Sequence, residues 1–278
     1  MQVEIPKLNS LSLFEQVNPI PCEIDGYCYI RKFLHTDKPI IQILSSISAG
    51  EHVFIERAHL LDEYGVFARN IIFSTTYIQN FSYFNLYLDL KDLSGKYRVR
   101  INLESNNITK ALKPITSEWF MVKKKNDFKN VLIQVRNSKN KFGVIFNDKK
   151  LHFTFRVDGG FYPNSMQVNS DDTIYKDQRV DFVQLSSFPY ESYRINLGGR
   201  RGISNSFIAL LNRAFSCDTV LINGVQFSKK EGSSFEAIES ENYPYRSWVI
   251  EVAKSENQNS KISEFGEIFD ETFDETYN

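Results

Sequence analysis

The chain has 278 residues, which is longer than an average domain and favours two domains. Lysine plus arginine number 33 and aspartate plus glutamate 34, so the molecule has no overall field that would attract nucleic acid or an anionic membrane. Aromatic residues make up 14% of the chain, which favours strands. No long apolar run and no secretory signal are present, so we expect no membrane insertion and synthesis in the cytoplasm.

The first half of the chain reads as an arm followed by a β domain. Residues 1–21 hold scattered apolar positions and several prolines, which favours an extended N-terminal arm, with a frayed terminus as the alternative. Residues 22–116 contain short apolar or alternating runs bounded by turn residues, and this spacing is typical of a sandwich or a barrel. The runs are YCYIRKF, PIIQILSSI, HVFIER, VFARNIIFSTTYI, FSYFNLYLDL and YRVRINLES.

The three cysteines are predicted to be reduced. In CEIDGYC, the Asp25-Gly26 dipeptide favours a two-residue hairpin turn. Such a turn would place Cys22 and Cys28 on opposite faces of the paired strands, because neighbouring side chains alternate along a strand. One disulfide is possible, but a packed thiol is the prediction for all three, including Cys217.

One strand of this first domain has two contrasting faces. In YFNLYLDL the alternation separates an aliphatic face from an aromatic and polar one. The aliphatic face carries Phe84, Leu86, Leu88 and Leu90, and the other carries Tyr83, Asn85, Tyr87 and Asp89. The first face is predicted core. The second is read as ordinary exposed side chains, with contact to a ligand or a neighbouring subunit as the alternative.

A domain boundary is predicted between residues 116 and 117, because KALKPITSEW contains Pro114 and a polar cluster between two strand-rich blocks. The densest basic run of the chain, MVKKKNDFKN, follows directly. Nucleic-acid contact is one interpretation of this run. Without interleaved aromatic residues or a recognition helix, a solvated loop is favoured.

Residues 117–254 are predicted to form a second β-rich domain. The expected fold is therefore mainly β, with two β-sandwich-like domains, the second carrying one short amphipathic helix packed on a sheet. A hairpin is expected from Val131–Arg136 and Lys141–Phe146, followed by the strand LHFTFRVDGGF. The polar face of that strand carries His152, Thr154, Arg156 and Asp158. A loop is then expected from Tyr162 to about Asp172, and a loop of this length is either functional or a contact arm.

A short amphipathic helix is predicted near residues 204–216, with Ser204 or Ser206 as N-cap. The turn Gly198-Gly199-Arg200-Arg201-Gly202 precedes it. Amides at the helix start together with Arg200 and Arg201 could hold an anion or an acidic peptide, which makes Arg200, Arg201 and Ser204 a candidate site. Turn glycines beside surface arginines are the simpler alternative. A hairpin at Asn223-Gly224 and a closing strand at Trp248–Val252 complete the domain.

Residues 255–278 differ in composition and are predicted to be an acidic aromatic tail. Aromatic residues recur every four positions, at Phe265, Phe269, Phe273 and Tyr277. The intervening acids are Glu264, Glu267, Asp270, Glu271, Asp274 and Glu275. An isolated helix of this charge would be marginal, so the segment is expected to fold on a partner, the aromatic stripe and acids such as Asp270 and Asp274 making the contact. A solubilising tail is the alternative.

Catalytic and metal-binding patterns are not recognisable in the sequence. The histidines His35, His52, His59 and His152 are far apart, and no nucleophile elbow, P-loop or dinucleotide fingerprint occurs. The carboxylates Asp171, Asp172, Asp177 and Asp181 lack an EF-hand spacing and are expected to be solvated. The sequence therefore predicts a protein that is not an enzyme and that needs no cofactor or metal.

The second half resembles a family of tail-associated virion proteins encoded by phages and prophages of the Bacteroidota. The resemblance is carried by NSKNKFGVIF, FRVDGGF, DTIYKDQ, FPYESYRINLGG and LLNRAFSCDTVLING, followed by Gly232 and Glu236. It covers Tyr29 to Val252, with a looser match at HTDKPIIQILSS in the first half. The resemblance implies a virion component of the tail, tail hub or baseplate region, built from β domains that multimerise, with no catalytic residues to transfer.

Two functions follow as hypotheses. The first is a virion structural protein, made in the host bacterial cytoplasm, that assembles with copies of itself and with other virion proteins. The second is a carbohydrate-binding module that recognises a host surface glycan through exposed aromatic rings. Its candidate contacts are Tyr83, Tyr87, Tyr162 and Tyr243.

Overall fold

A computed structural model describes residues 3–15, 30–46, 52–106, 112–126, 129–146, 151–176, 182–238 and 245–255. Strand makes up 60% of the structure and helix 5%, which confirms the prediction of a mainly β protein. The strands are β1 (Val3–Glu4), β2 (Leu13–Phe14), β3 (Arg31–Leu34), β4 (Ile40–Ser46), β5 (Val53–Asp62), β6 (Phe67–Asn70), β7 (Ile72–Ile78), β8 (Phe81–Tyr87), β9 (Gly95–Ser105), β10 (Ile115–Ser117), β11 (Phe120–Lys123), β12 (Asn130–Arg136), β13 (Phe153–Phe161), β14 (Gln167–Lys176), β15 (Phe182–Leu197), β16 (Thr219–Ile222), β17 (Val225–Lys229), β18 (Glu236–Ile238) and β19 (Ser247–Lys254). The helix α1 covers Asn205–Ala214. Within these ranges, no helix has the length and apolar character needed to cross a membrane.

The first half forms two sheets with a shared core. One sheet has the order β1-β4-β8-β7; the other has the order β2-β10-β9-β11-β3, with β5 paired to the free side of β9 and β6 to β5. The predicted aliphatic face of β8 and the residues beyond it is confirmed, since Phe84, Leu86, Leu88 and Leu90 are all at most 2% exposed. They pack against residues of the second sheet such as Val99, Ile101 and Phe120 in one buried cluster.

The second half closes on itself. Its strands pair in the ring β12-β13-β15-β19-β17-β16, and β16 returns to β12, so the six strands form a closed antiparallel barrel. Alternation along β13 directs Phe153, Phe155 and Val157 into the buried cluster of this barrel. The apolar face of α1 joins the same cluster. The ring closes between β13 and β15 at residues 159–161, while residues 153–158 of β13 pair with β12 alone.

The helix and the hairpin after it agree with the sequence. Ser204 is the N-cap of α1, and its hydroxyl accepts the backbone N–H of Phe207 at 3.3 Å. The turn between β16 and β17 has positive φ at Asn223 and Gly224, 52° and 84°, which is the geometry of a type I′ turn. The predicted closing strand at Trp248–Val252 is part of β19.

Two local predictions in the second half are wrong. Residues 141–146 do not pair with β12 as a hairpin, because β13 and β16 occupy both sides of β12. The expected loop from Tyr162 to Asp172 is short, and β14 begins at Gln167. β14 and the first part of β15 form a long two-stranded ribbon, here named the β-ribbon (residues 167–176 and 182–192).

The N-terminal residues are built into the fold. β1 pairs with β4 and β2 pairs with β10, so residues 3–15 do not project as an arm. Between them, Ser10 is fully buried, and its hydroxyl accepts the backbone N–H groups of Ile40 at 3.2 Å and Thr154 at 3.1 Å. This one serine hydroxyl therefore joins β4 of the first half to the backbone of β13 in the barrel. The remainder of the predicted arm, residues 16–21, lies outside the described residues.

A buried ion pair and a buried amide also join the two halves. Together with Ser10 they form the polar seam, which consists of Ser10, Asp37, Gln42 and Arg156 and their partners. The Arg156 guanidinium on β13 makes two bonds to the Asp37 carboxylate, at 2.5 Å and 2.6 Å, and both residues are less than a tenth exposed. The Gln42 side chain accepts the backbone N–H of Ile145 at 2.9 Å and donates to its carbonyl at 3.1 Å. The strand pairing changes from the first half to the second between β11 and β12, after the boundary predicted at residues 116/117.

Candidate functional site

A basic cleft forms where four segments distant in the sequence meet. They are β3 at Lys32, the lysine-rich segment with Lys123 and Lys129, the end of β13 with the following Tyr162-Pro163, and the GGRR turn after β15. The cleft is open and has a volume of about 650 Å³. Its cationic lining residues are Lys32, Lys123, Lys129, Arg200 and Arg201.

Close backbone approach shapes the floor of the basic cleft. A Cβ on Gly159 (φ +140°) would lie inside contact distance of the Asn196 carbonyl oxygen, so only glycine lets β13 and β15 approach this closely. The Gly198 N–H then donates to the Asp158 carbonyl at 2.6 Å. The Gly202 N–H donates to the Gly198 carbonyl at 2.9 Å, which closes the turn that carries the two arginines. Each contact is backbone-determined and therefore rigid.

The electrostatics of the cleft are strongly one-sided. Five cationic side chains line it, and Asp158 is the one carboxylate among its lining residues. Asp158 is engaged, since it forms an ion pair with Lys32 that is largely buried. Focusing of field lines in a concave surface adds to this positive potential. The cleft is suited to an anionic ligand.

Aromatic and apolar groups form the rim of the cleft. Tyr162 and Pro163 follow one another along one side, while the Phe161 ring packs against Tyr193 and Phe227, with ring centres 5.8 Å and 5.4 Å apart. The Tyr162 hydroxyl accepts from the Asn196 amide at 3.3 Å, and the Arg194 guanidinium lies 5.9 Å from the Tyr162 ring centre. Tyr162 keeps 38% of its surface exposed. An anionic ligand that also carries apolar groups would contact both the cations and this rim.

Of the three residues predicted as an anion site, Arg200 and Arg201 line the basic cleft and Ser204 does not. Arg200 and Arg201 are exposed and line the cleft. Ser204 does not line it: the side chain is 5% exposed and caps α1. The Arg31 guanidinium lies 4.5 Å above the Phe207 ring at the start of the helix, so that end of α1 is covered by the first half. The lysines and Phe161 were not assigned to this site by the sequence, although the basic run itself was visible.

The tail contacts predicted from the sequence cannot be located in the structure. Phe265, Phe269, Phe273, Tyr277, Asp270 and Asp274 all lie outside the described residues. Cys22 and Cys28 do so as well. Cys217 is a free thiol, and burial raises its pKa to about 11, so it is almost entirely protonated at neutral pH.

The tyrosines considered for glycan contact do not share one surface. Tyr83 is 8% exposed, because the chain near Ile145 covers the polar face of β8. Tyr87 is half-buried and Tyr162 lies at the basic cleft, while Tyr243 is outside the described residues. The expected exposed aromatic face on β8 is therefore wrong at Tyr83.

The β-ribbon carries the largest group of exposed large apolar side chains among the described residues. Cross-strand partners share a face, and side chains alternate along each strand. One face carries Val168 (73% exposed), Ile174 (58%) and Phe182 (69%). The opposite face carries Tyr175 (55%), Val183 (49%) and Phe188 (57%). Both faces of the β-ribbon thus expose large apolar side chains to solvent, with polar residues such as Asp172 and Gln184 between them.

Across the described residues, no cluster of three or more His, Cys, Asp or Glu side chains is placed to hold a metal ion. Asp171 and Asp172 are neighbours on β14 and point to opposite faces of the β-ribbon. Hydrogen bonds from Ser187 and Ser170 lower the pKa of the Asp172 carboxyl.

No protein-family profile, no curated protein and no solved structure matches this chain.

Proposed function

We propose that this protein is a structural component of a phage virion, in the tail or baseplate region, and acts through assembly contacts with copies of itself and with other virion proteins. The resemblance of the second half to tail-associated virion proteins supports this proposal. The observation that carries it is the β-ribbon. The virion is the location that follows from this function.

An isolated two-stranded ribbon is at best marginally stable in water. Soluble monomers also rarely expose large contiguous apolar patches, and a patch of this kind marks an interaction surface. In the β-ribbon the large side chains on both faces are about half exposed or more, as at Val168 on one face and Phe188 on the other. Burial of both faces between neighbouring copies would stabilise the β-ribbon and the assembly together.

A second exposed surface lies on the first half. β7 is at the edge of its sheet, and Ile72 and Tyr77 on this strand are 74% and 69% exposed. Tyr64, in the turn before β6, is 83% exposed. An edge strand can accept another strand through its backbone groups. A molecule with two apolar surfaces on different halves can contact more than one neighbour, as a multimeric structural component requires.

The experiment is light scattering of the full chain over a range of concentrations. We expect self-association that is weakened about tenfold or more in Phe182→Ser/Phe188→Ser, since truncation of buried aromatic anchors typically costs more than about 1 kcal/mol each. Val225→Ser is the matched control, because Val225 is 45% exposed but lies on β17, away from the β-ribbon. A full chain that stays monomeric throughout, or equal effects of the two variants, would contradict the proposal.

A further inference from the structure

We infer that the basic cleft binds the C-terminal segment Ile262–Asn278 of a neighbouring copy of the chain. This inference rests on the proposed assembly function, for which it names the partner. The segment, here named the acidic segment, contains six carboxylates and four aromatic residues and has no lysine or arginine. The cleft and the acidic segment are complementary in charge and in apolar character.

Charge complementarity is the first argument. The five cations of the cleft come from four places in the fold: Lys32 on β3, Lys123 on β11, Lys129 before β12 and the arginine turn after β15. An extended or helical peptide with acids along its length can contact several of these positions at once. Among the cleft lining residues, one carboxylate opposes this contact, and its ion pair with Lys32 moderates its charge. Such attraction speeds encounter and weakens with added salt.

The aromatic rim is the second argument. The acidic segment has an aromatic residue at every fourth position, and the cleft offers the partly exposed Tyr162 ring and Pro163 beside its cations. Beside them, Gly160 has no atom within 4 Å of where a Cβ would stand, which leaves open space over the strand. Aromatic pairs add about 0.5–1.5 kcal/mol beyond the area they bury. A peptide with acids alone would therefore bind less well than the acidic segment.

The choice of a neighbouring copy follows from the proposed assembly function. Trp248 at the start of β19 pairs with Leu197, next to the cleft turn, and β19 runs from there to Lys254. Seven residues of strand from Trp248 to Ser255 cover about 23 Å. The ten residues from Ser255 to Phe265 can span at most about 36 Å, which is long enough for the acidic segment to reach beyond its own molecule. Exchange of this segment between identical copies would link them into one assembly.

The test uses a labelled synthetic peptide of residues 262–278 as the probe. The receiver is the full chain with the four tail aromatics changed to serine (F265S/F269S/F273S/Y277S), so that its own tail competes less. Fluorescence anisotropy at low ionic strength measures the affinity. We expect saturable binding that weakens about tenfold or more in a receiver that also carries Arg200→Glu and Arg201→Glu, because two attractive contacts become repulsive.

Matched controls separate the cleft from general charge attraction. Arg57→Glu/Lys139→Glu changes the charge by the same amount at two exposed positions outside the cleft, and it should leave the affinity within about twofold. A peptide with serine in place of its four aromatic residues should bind several-fold more weakly. Absence of binding, equal affinity of the Arg200/Arg201 variant, or equal loss in the Arg57/Lys139 variant would each overturn the inference.

Peptide binding to the cleft and self-association through the β-ribbon can be tested independently of each other. Phe182→Ser/Phe188→Ser should weaken self-association but leave peptide binding unchanged, because the β-ribbon residues do not line the cleft. If the peptide fails to bind while the full chain still self-associates through the β-ribbon, this inference alone fails. If the full chain stays monomeric while the peptide binds normally, assembly through the β-ribbon fails instead.

Discussion

At the scale of single residues, alanine substitution of two adjacent glycines is expected to have very different effects on the free energy of unfolding. Gly159 has φ +140°, and a Cβ there would stand 3.0 Å from the Asn196 carbonyl carbon and closer still to its oxygen. Gly160 has no atom within 4 Å of the same position. We expect Gly159→Ala to lower the free energy of unfolding by about 3 kcal/mol or more, since backbone strain and a backbone clash add. Gly160→Ala should change it by less than about 1 kcal/mol.

Urea unfolding of the two variants measures this difference. The same comparison reports on the cleft, because β13 and β15 must separate to relieve a clash at Gly159. Gly159→Ala should therefore also weaken binding of the acidic segment, whereas Gly160→Ala should retain a folded cleft. Equal stabilities would mean that β13 and β15 do not approach closely at this point.

Some residue patterns predicted the fold and others did not. Alternation in the strand LHFTFRVDGGF correctly separated a buried apolar face from a polar one. The function of the polar face in the seam was not predictable, because Arg156 is satisfied by Asp37, a residue far away in the sequence that the local pattern assigns to a turn. A local pattern identifies a turn aspartate but does not identify its ion-pair partner.

At the scale of elements, the structure decides which serine caps the N-terminus of α1, a choice that the sequence left open between Ser204 and Ser206. The Ser204 hydroxyl accepts the Phe207 N–H, and Ser206 is exposed. Ser204→Ala should lower the free energy of unfolding by about 1 kcal/mol, the usual cost of losing an N-cap oxygen. Ser206→Ala should cost less than roughly 0.5 kcal/mol. Thermal or urea unfolding would show the reverse order if Ser206 were the cap.

Element types were predictable from the sequence, and pairing partners were not. Period-two alternation and turn residues located the strands of the first half, and the Asn223-Gly224 turn located the hairpin of β16 and β17. The expected partner of β12 was wrong because both of its edges are taken by strands of higher sequence separation. The first half of β14 was read as a loop, because Asn169, Ser170 and Asp171 are polar turn-type residues. Their strand conformation depends on pairing with β15.

The basic cleft shows the same limit at a functional site. The lysine run and the GGRR turn were each visible in the sequence. The lysine run was interpreted as a solvated loop, and the GGRR turn as a candidate anion site with ordinary surface as the simpler alternative. The lysine run and the GGRR turn come together because β11 joins the sheet of the first half and β13 pairs with β15 in the second. The site therefore follows from the topology and not from any one motif.

At the scale of the whole molecule, the polar seam decides whether the two halves unfold together. Arg156 and Asp37 are buried and doubly bonded, and residue Ser10 bonds to both halves. Removal of one partner of such a buried ion pair typically costs about 3–5 kcal/mol. Separation of the halves would leave all of these polar groups unpaired. We therefore expect one cooperative unfolding transition.

The two tryptophans of the chain make this prediction measurable. Trp119 lies beside β11 in the first half, and Trp248 packs against the barrel core in the second. In the variants Trp248→Phe and Trp119→Phe, fluorescence of the remaining tryptophan should give coincident urea transitions. Arg156→Met should shift both transitions to lower urea together, whereas Arg57→Met, at an exposed position, should shift neither. Separate midpoints, or a shift of only one probe, would show two halves that are energetically independent.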